Sequence, residues 1–341
     1  MNLSLSVIVP THQLSESFAT CLRALERAAE TLVFELVLVL DGVTPDIYFF
    51  EKFHLPRLRI VTLAKNYGPA VARNQGARVA RGKVLLFLDA DVRVHPTTLP
   101  QVLEHFEKEP TADALIGSYD EHPAEDRVVS RFRNLLHHYT HQRGATEAST
   151  FWGACGAVRS AVFQGAGGFN ESFAKPSVED VELGYRLRAQ GYRIALCKGI
   201  QVTHLKRWDL RSMVFTDVFR RAKPWTVLLL QHQQWQHNDL NVKYTERWTT
   251  VAIFILLISG GLSVIASEFL WLAALAGLAI ILLNRPFYRF LGKHFKVYQW
   301  PLVLALHGIY HLSAALGLAL GLVEYQYGKA KQTWQKLSVQ A

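Results

Sequence analysis

The sequence has 341 residues, of which 50% are apolar, so it is too long for one small domain and too apolar for a disordered chain. Its formal net charge of +9 would suit a nucleic-acid-binding protein, but the excess is confined to the second part of the chain. Residues 1–204 carry 22 basic and 22 acidic residues, whereas residues 205–341 carry 15 basic and 6 acidic ones. Because these basic residues flank long apolar runs, they indicate a membrane surface and argue against nucleic acid as a partner.

The cysteines and the first residues indicate where the chain works. Cys21, Cys155 and Cys197 are odd in number and widely spaced, which favours neither a disulfide framework nor a zinc site. The first ten residues lack a basic segment and a cleavage site, so no signal peptide is expected. The first half is therefore predicted to fold in a reducing cytoplasm.

Residues 1–204 alternate short apolar runs with amphipathic stretches. Strands are predicted at 3–10, 34–41, 57–64, 83–91 and 113–118, and helices at 14–31, 69–81, 96–108, 126–142 and 178–190. The first four strands are almost continuously apolar, which predicts a sheet covered by helices on both faces. The order of the elements predicts the α/β class.

Three runs without a charged residue follow, at 248–267, 269–284 and 297–323. A spanning helix needs about 20 apolar residues, so the first and third runs predict membrane spans, and the second is short for one. We expect two or three helices in a membrane region at 248–323, followed by a basic tail at 324–341. The basic stretch 285–296 is expected on the cytoplasmic side. The third run could be a full span or a re-entrant segment, and the sequence does not decide between these two.

The stretch 205–247 joins the two halves and mixes basic residues with tryptophan, phenylalanine and methionine. Apolar residues recur every four positions at 210, 214 and 218, which is typical of an amphipathic helix lying in the headgroup layer. The alternative is a basic, solvated linker.

The most informative motif is Asp89-Ala90-Asp91, which ends the apolar run VLLFL. Ligands of open α/β sheets lie beyond the carboxyl ends of the strands, so both carboxylates are expected in a cleft. Two acids this close repel each other unless a cation or a donor compensates them. A divalent ion shared with a substrate diphosphate would do so. Alone, the motif is weak, because it is common in turns and calcium loops.

Further motifs surround these acids in a fixed order. They are VIVPTHQ, ELVLVLDG, NYGPAVARNQG, LFLDADV, GGFNES and VEDVELGYRLRAQGYRI. In this order they resemble a family 2 glycosyltransferase with the GT-A fold over residues 1–204. The resemblance implies a GT-A (Rossmann-like nucleotide-diphospho-sugar transferase) domain, followed here by interfacial and transmembrane α-helices.

The resemblance also implies a metal site. The second acid of the motif, Asp91, would bind a divalent ion on the diphosphate, and Asp89 would approach the ribose or nucleotide. His204 matches the histidine that often completes this site, and an imidazole suits Mn²⁺ better than Mg²⁺. On its residues alone, an isolated histidine such as His204 is more often a packed side chain than a ligand, and the resemblance reverses that preference.

By the same resemblance, Asp180 is the candidate general base. Inverting transfer needs a carboxylate within hydrogen-bond reach of the acceptor hydroxyl. Glu179 would orient Asp180 or contact the donor sugar. The alternative is that these acids only stabilise the N-terminus of a helix, where the helix dipole favours negative charge.

The nucleotide pocket is implied at Pro10, Thr11 and Asp41. The family's usual DDGS is Leu40-Asp41-Gly42-Val43 here, so one acid is absent, which favours UDP and leaves GDP open. Arg73 is placed among the donor-binding residues, either lining the pocket or, like Asn74, holding it in shape.

Two histidine pairs stand outside these motifs. His137 and His141 are four residues apart without the glutamate of a zinc-protease motif, and they are interpreted as an exposed or acceptor-side helix face. His307 and His311 share that spacing inside the third apolar run. They either line an acceptor channel or form hydrogen bonds across helices.

The sequence thus predicts an inverting, metal-dependent glycosyltransferase that uses Mn²⁺ or Mg²⁺ and transfers a sugar from a nucleotide-sugar, with UDP favoured, to a membrane lipid. The chain is expected to be integral to the inner membrane, with its catalytic domain in the cytoplasm. The alternatives are a polyprenyl-phosphate sugar synthase, a processive polysaccharide synthase and an inactive membrane scaffold. A polymer channel is disfavoured by the few helices and the missing Q-x-x-R-W motif. Oligomeric state, sugar and acceptor are left open.

Overall fold

The structure is a computed structural model that describes residues 4–232 and 243–340. The chain divides into two compact units. The first comprises Met1–Asp126 and Asn134–Arg207, and the second Arg127–Arg133 and Trp208–Ala341. The division of the second half into interfacial, membrane and tail segments stays a prediction.

The first unit is built on one mixed sheet whose eight strands lie in the order β3-β2-β1-β4-β7-β6-β8-β5. Four parallel strands form one half: β1 (Leu5–Thr11), β2 (Glu35–Asp41), β3 (Leu58–Leu63) and β4 (Val84–Leu88). All four overlap the predicted strands, and the α/β class is confirmed. β1, β2 and β4 are almost wholly buried, as expected. β3 is not, because it is the edge strand and alternates between half-buried and exposed positions.

The other half of the sheet was mostly not predicted. It consists of β5 (Val92–Val94), β6 (Ala114–Tyr119), β7 (Cys155–Arg159) and β8 (Ile194–His204). Only β6 corresponds to a predicted strand. β7 runs antiparallel to both β4 and β6, and β5 runs antiparallel to β8. These antiparallel pairings bring distant parts of the chain beside the carboxyl end of β4.

The five longer helices of this unit lie at the predicted positions, and two short ones are additional. They are α1 (Glu16–Ala29), α2 (Ile47–Phe50), α3 (Pro69–Val79), α4 (Thr98–Lys108), α5 (Val128–Gln142), α6 (Ser160–Gly165) and α7 (Glu179–Ala189). The first turn of α5 belongs to the second unit. The short helices α2 and α6 were not predicted.

A cluster of aromatic side chains packs around β4. Phe87, on β4, lies 5.1 Å from both Phe163 and Phe169 between ring centroids, and 6.2 Å from Phe151. Phe87, Phe151 and Phe169 are fully buried. Because interiors are close-packed, this cluster gives the loops that carry the functional side chains a rigid base.

The second unit is helical. It contains α8 (Leu210–Phe215), a π-helix (Thr216–Ala222), α9 (Lys223–Gln231), α10 (Tyr244–Leu262), α11 (Phe269–Leu283), α12 (Arg285–Leu291) and α13 (Trp300–Gln340). Within the described part of the chain, one helical segment, Val297–Lys329, is long and apolar enough to cross a bilayer. The pair α11–α12, bent by 68°, would make a second if it counts as one span. α10 covers the first predicted run only as far as Leu262.

Two glycines let α13 approach its neighbours closely. A Cβ atom on Gly317 would lie 2.4 Å from the Cβ of Ala222, and one on Gly321 would lie 2.6 Å from the Lys223 carbonyl oxygen. This spacing of four residues brings the backbones together, as in helix pairs of membrane proteins. From Trp300 onward, the third apolar run lies within α13, which is one uninterrupted helix.

The packing of α7 predicts a stability effect at Gly184. A Cβ atom there would lie 2.1 Å from the Phe151 backbone nitrogen, so Gly184→Ala should destabilise the protein by about 1–3 kcal/mol, as overpacking does. Chemical unfolding followed by tryptophan fluorescence measures the change. Gly199→Ala is the matched control, since a Cβ there meets nothing within 4 Å. Equal stability of both variants would contradict the packing.

Candidate active site

The acids of the Asp89-Ala90-Asp91 motif lie between two strands. β4 ends at Leu88 and β5 begins at Val92, so both carboxylates occupy the connection at the carboxyl end of β4. The side chains of Asp89 and Asp91 are each 35% exposed. They are therefore accessible to a ligand, in the position expected for an α/β sheet.

A buried guanidinium connects this motif to helix α7. Arg73, on α3, donates from one Nη to Asp89 Oδ1 at 2.7 Å and from the other to Glu179 Oε1 at 2.8 Å. Its side chain is 5% exposed, and it lies over the Phe169 ring. Burial and the charges of Asp91 and Glu179 raise the pKa of Asp89, and Arg73 opposes them. Arg73 thus compensates the buried Glu179 and the half-buried Asp89, as the sequence analysis required of some cation or donor.

This ion-pair network needs a glycine beside it. A Cβ atom on Gly153 would lie 2.7 Å from an Nη of Arg73 and 2.8 Å from its Cζ. The guanidinium cannot swing away without breaking a contact to Asp89 or Glu179. The close approach explains why a residue without a side chain stands at this position.

The same glycine orients the candidate base. The Gly153 N–H donates to Asp180 Oδ2 at 3.0 Å, and the Val181 N–H donates to Asp180 Oδ1 at 2.8 Å. Burial first, and then the charge of Glu179, raise the pKa of Asp180 to about 6, although these two donors oppose the shift. A carboxylate with a pKa near neutrality is well matched to proton abstraction. Asp180 therefore has both a fixed orientation and a suitable basicity.

His204 lies next to Asp91 because of the β5–β8 pairing. The register sets Val92 opposite His204 and brings His204 Nε2 to 3.7 Å from Asp91 Oδ2. His204 Nδ1 is 2.6 Å from Asn134 Oδ1, a contact that orients the ring and turns Nε2 toward Asp91. The imidazole is stacked on the Tyr119 ring with a centroid distance of 4.3 Å.

This pair fits the donor set of a divalent ion. One carboxylate oxygen and one imidazole nitrogen, 3.7 Å apart, are separated as two ligands of a single ion can be. Burial opposes ionisation of Asp91, but His204 and Lys206 outweigh it and lower its pKa, which keeps the ligand charged. Among the described residues, no group of three or more His, Cys, Asp or Glu side chains is placed to hold a metal. An ion here would take its further ligands from a substrate.

The residues implied for nucleotide binding follow the ends of β1 and β2. Asp41 accepts hydrogen bonds from the backbone N–H groups of Tyr67 (2.8 Å) and Gly68 (2.9 Å). Thr11 Oγ1 donates to the Gln13 carbonyl oxygen, and Pro10 is half-buried beside it. Asp41 thus shapes the loop before α3, and its direct contact with a nucleotide base stays a prediction.

Asn74 is a structural residue of the same region. Its side-chain oxygen accepts from the Phe169 N–H, and its side-chain nitrogen donates to the Phe169 carbonyl oxygen and to Glu171. Sequence reasoning missed the roles of Asn134 and of the Gly153 N–H. Neither carries a local signal, because each depends on a contact with a residue far along the chain.

The histidine pairs have packing partners. His141 Nδ1 is 2.9 Å from the Gly117 carbonyl oxygen, and its ring packs on Trp152, as does that of His137. His141 is buried, so the prediction of an exposed face does not hold for it. His307 bonds to Tyr288 and to His311, which in turn bonds to Thr250. These hydrogen bonds join α10, α12 and α13, in agreement with the expectation that His307 and His311 form hydrogen bonds across helices.

Parts of the chain are similar to known proteins. The family model described as glycosyl transferase family 2 matches residues 6–166. The validoxylamine A glucosyltransferase of Streptomyces hygroscopicus subsp. jinggangensis is 30% identical over 257 residues, 64% of this chain and 61% of that one. The dodecaprenyl-phosphate galacturonate synthase of Rhizobium johnstonii is 30% identical over 125 residues, 34% of this chain and 36% of that one. The chain thus spans less than two thirds of the length of these relatives.

A solved structure supports the fold. The mannosyltransferase PcManGT from Pyrobaculum calidifontis, in complex with GDP-Man and Mn²⁺, has a TM-score of 0.55 and 17% identity. The match covers 96% of this chain and 88% of that one. Residues 6–166 thus match the glycosyl transferase family 2 model, and the fold is GT-A-like.

The Arg73 network predicts a pH-dependent loss of stability. Arg73→Gln leaves Asp89 and Glu179 without their cation, which should cost about 3 kcal/mol at pH 8. Without Arg73 the folded-state pKa of Asp89, which burial already raises, rises further above its unfolded value. The variant therefore loses stability as the pH rises through those values, and its deficit should be smaller at about pH 5. Urea unfolding at both pH values measures this, and an equal deficit would contradict the network.

Proposed function

We propose that this chain is a glycosyltransferase that transfers a sugar, with inversion, from a nucleotide-sugar to a lipid in the membrane, with Asp180 as the general base. The observation that carries the proposal is the state of Asp180. Its carboxylate is held by two backbone N–H groups and its pKa is raised to about 6. Such a group accepts a proton near neutral pH and does so from a fixed position.

Asp180 would accept the proton of the acceptor hydroxyl as the acceptor oxygen bonds to the anomeric carbon. The bond from that carbon to the nucleoside diphosphate breaks on the opposite side, so the configuration inverts. Asp180 is joined to the donor-side acids through Glu179 and Arg73, which bonds to Asp89. This network would hold Asp180 in one position while negative charge develops on the departing diphosphate of the donor.

A divalent ion, Mn²⁺ or Mg²⁺, would be held by Asp91 and His204, and it would neutralise the negative charge that develops on the leaving diphosphate. Asn134 fixes the His204 ring and directs Nε2 toward Asp91. His204 favours Mn²⁺ over Mg²⁺ as the resident ion. Asp89 would contact the ribose or the nucleotide, and Pro10, Thr11 and Asp41 would surround the base.

A lipid acceptor is supported by the second unit. Its segment Val297–Lys329 is long and apolar enough to span a bilayer. A catalytic domain tied to the membrane can meet an acceptor that never leaves it. We place the chain in the inner membrane with the catalytic domain in the cytoplasm, because the basic residues flank the apolar runs.

A polyprenyl phosphate is a second candidate acceptor. The observation in its favour is the similarity to the dodecaprenyl-phosphate galacturonate synthase, whose product by that name is a lipid-linked sugar. The donor base is proposed to be uracil, since Asp41 is retained although its preceding acid is replaced by Leu40.

The basicity of Asp180 predicts the pH profile. At saturating Mn²⁺, kcat/KM should fall about tenfold between pH 7 and pH 5, because Asp180 becomes protonated below about pH 6. Glu179→Gln removes a charge that raises this pKa, so the acid limb should move to lower pH. Asp180→Asn should lose at least about a thousandfold in kcat with donor binding unchanged. The exposed Asp126→Asn is the control, and an unmoved limb in Glu179→Gln would contradict the assignment.

The hydrogen bond from His204 to Asn134 predicts an effect on metal affinity. Asn134→Leu frees the His204 ring and should weaken Mn²⁺ binding about 10- to 100-fold, as loss of such partners does elsewhere. Electron paramagnetic resonance of free Mn²⁺, titrated with the protein and UDP, measures this without turnover. Gln142→Leu on the same helix is the control, since its amide bonds to the Lys198 carbonyl oxygen. Unchanged affinity in Asn134→Leu would contradict a His204 ligand.

A further inference from the structure

Helix α12 and the turn after it expose four cations on one side. Arg285, Arg289 and Lys293 follow one another at intervals of four residues, and Lys296 comes three residues later. All four are exposed. We call these four residues the basic stripe.

The other side of this segment is buried and apolar. Phe287, Leu291 and Phe295 are 4%, 0% and 5% exposed. Arg131, from the same unit, donates to the His294 carbonyl oxygen and lies over the Phe295 ring at 4.9 Å. The segment is thus fixed through one face, and the basic stripe is presented on the other.

The charge of the basic stripe is not compensated by its surroundings. Residues 269–323 contain no acidic residue. Within the described part of the chain, the ion pairs involve none of the four cations. Four exposed cations without carboxylate neighbours attract anions from outside the protein.

The preceding helix identifies the source of those anions. α11 exposes large apolar side chains, among them Trp271 (78%), Leu275 (63%) and Leu282 (60%). It then turns by 68° into α12. An apolar helix followed at a bend by an amphipathic basic segment is the pattern of a chain that leaves the hydrocarbon and lies along the headgroups.

We propose that the basic stripe binds the phosphate headgroups of anionic phospholipids. The proposal rests on the membrane association proposed above but not on glycosyl transfer. Binding is measured here without a sugar donor, so its failure and a failure of the transferase assignment are distinguishable.

The test uses the full chain in a zwitterionic detergent, titrated with fluorescent phosphatidylglycerol and, separately, with phosphatidylcholine carrying the same label. The wild type should bind phosphatidylglycerol at least about tenfold more tightly, since each cation near an anionic surface contributes roughly fivefold. The variant R285Q/R289Q/K293Q/K296Q should lose this preference. The variant K52Q/R81Q/K83Q/K108Q, which removes four exposed cations of the first unit, should keep it.

Two further measurements distinguish a specific loss of lipid binding from a folding defect. The charge-conserving R285K/R289K variant should keep the preference. The preference of the wild type should fall as the ionic strength rises from about 0.05 M to about 0.5 M, because salt screens exposed charges. The proposal is overturned if the quadruple glutamine variant keeps the preference, if the wild type's preference does not respond to salt, or if inorganic phosphate displaces the labelled lipid at constant ionic strength.

Discussion

The buried guanidinium of Arg73 is the interaction on which the site depends. It bonds at once to Asp89, which follows β4, and to Glu179, which begins α7. Without a cation these acids and Asp180 would repel one another in a region that is poorly solvated. With it, three elements that are distant in the sequence are held at one end of the sheet. Gly153 belongs to the same arrangement, because it leaves room for Arg73 and also orients Asp180.

Around Arg73 the acids have different environments and therefore different chemistry. Asp180 is half-buried beside another carboxylate, and desolvation and then the charge of Glu179 raise its pKa to about 6. Asp91 lies beside His204 and Lys206, and its pKa is lowered. One acid is thereby suited to take a proton and the other to stay charged as a ligand. Separated pKa values of this kind are how one site supports both roles.

The sequence predicted the parallel half of the sheet well, because β1, β2 and β4 are continuous apolar runs buried on both faces. It did not predict β5, β7 or β8. β5 has only three residues, and β8 alternates irregularly between buried and exposed positions around Gly199. Their places follow from antiparallel pairings between distant segments, which no local pattern records.

The candidate site shows the same contrast. Asp89, Asp91, Asp180 and His204 lie within recognisable motifs, so they could be selected as candidate site residues from the sequence. Asn134 was not, because a single asparagine within an amphipathic helix has no signal of its own. Its contact with His204 exists only once α5 and β8 have taken their places in the fold. Asp41 shows that a residue expected to meet the ligand also binds the protein's own backbone.

The most direct test is product analysis with a panel of UDP-, GDP- and TDP-sugars, Mn²⁺ and the full chain in detergent, with and without a total lipid extract. The account predicts turnover of one donor that rises sharply with lipid, and a lipid product whose anomeric configuration, read by NMR, is opposite to that of the donor. Retained configuration would contradict Asp180 as the base of a single displacement. Turnover that ignores the lipid would contradict a membrane acceptor.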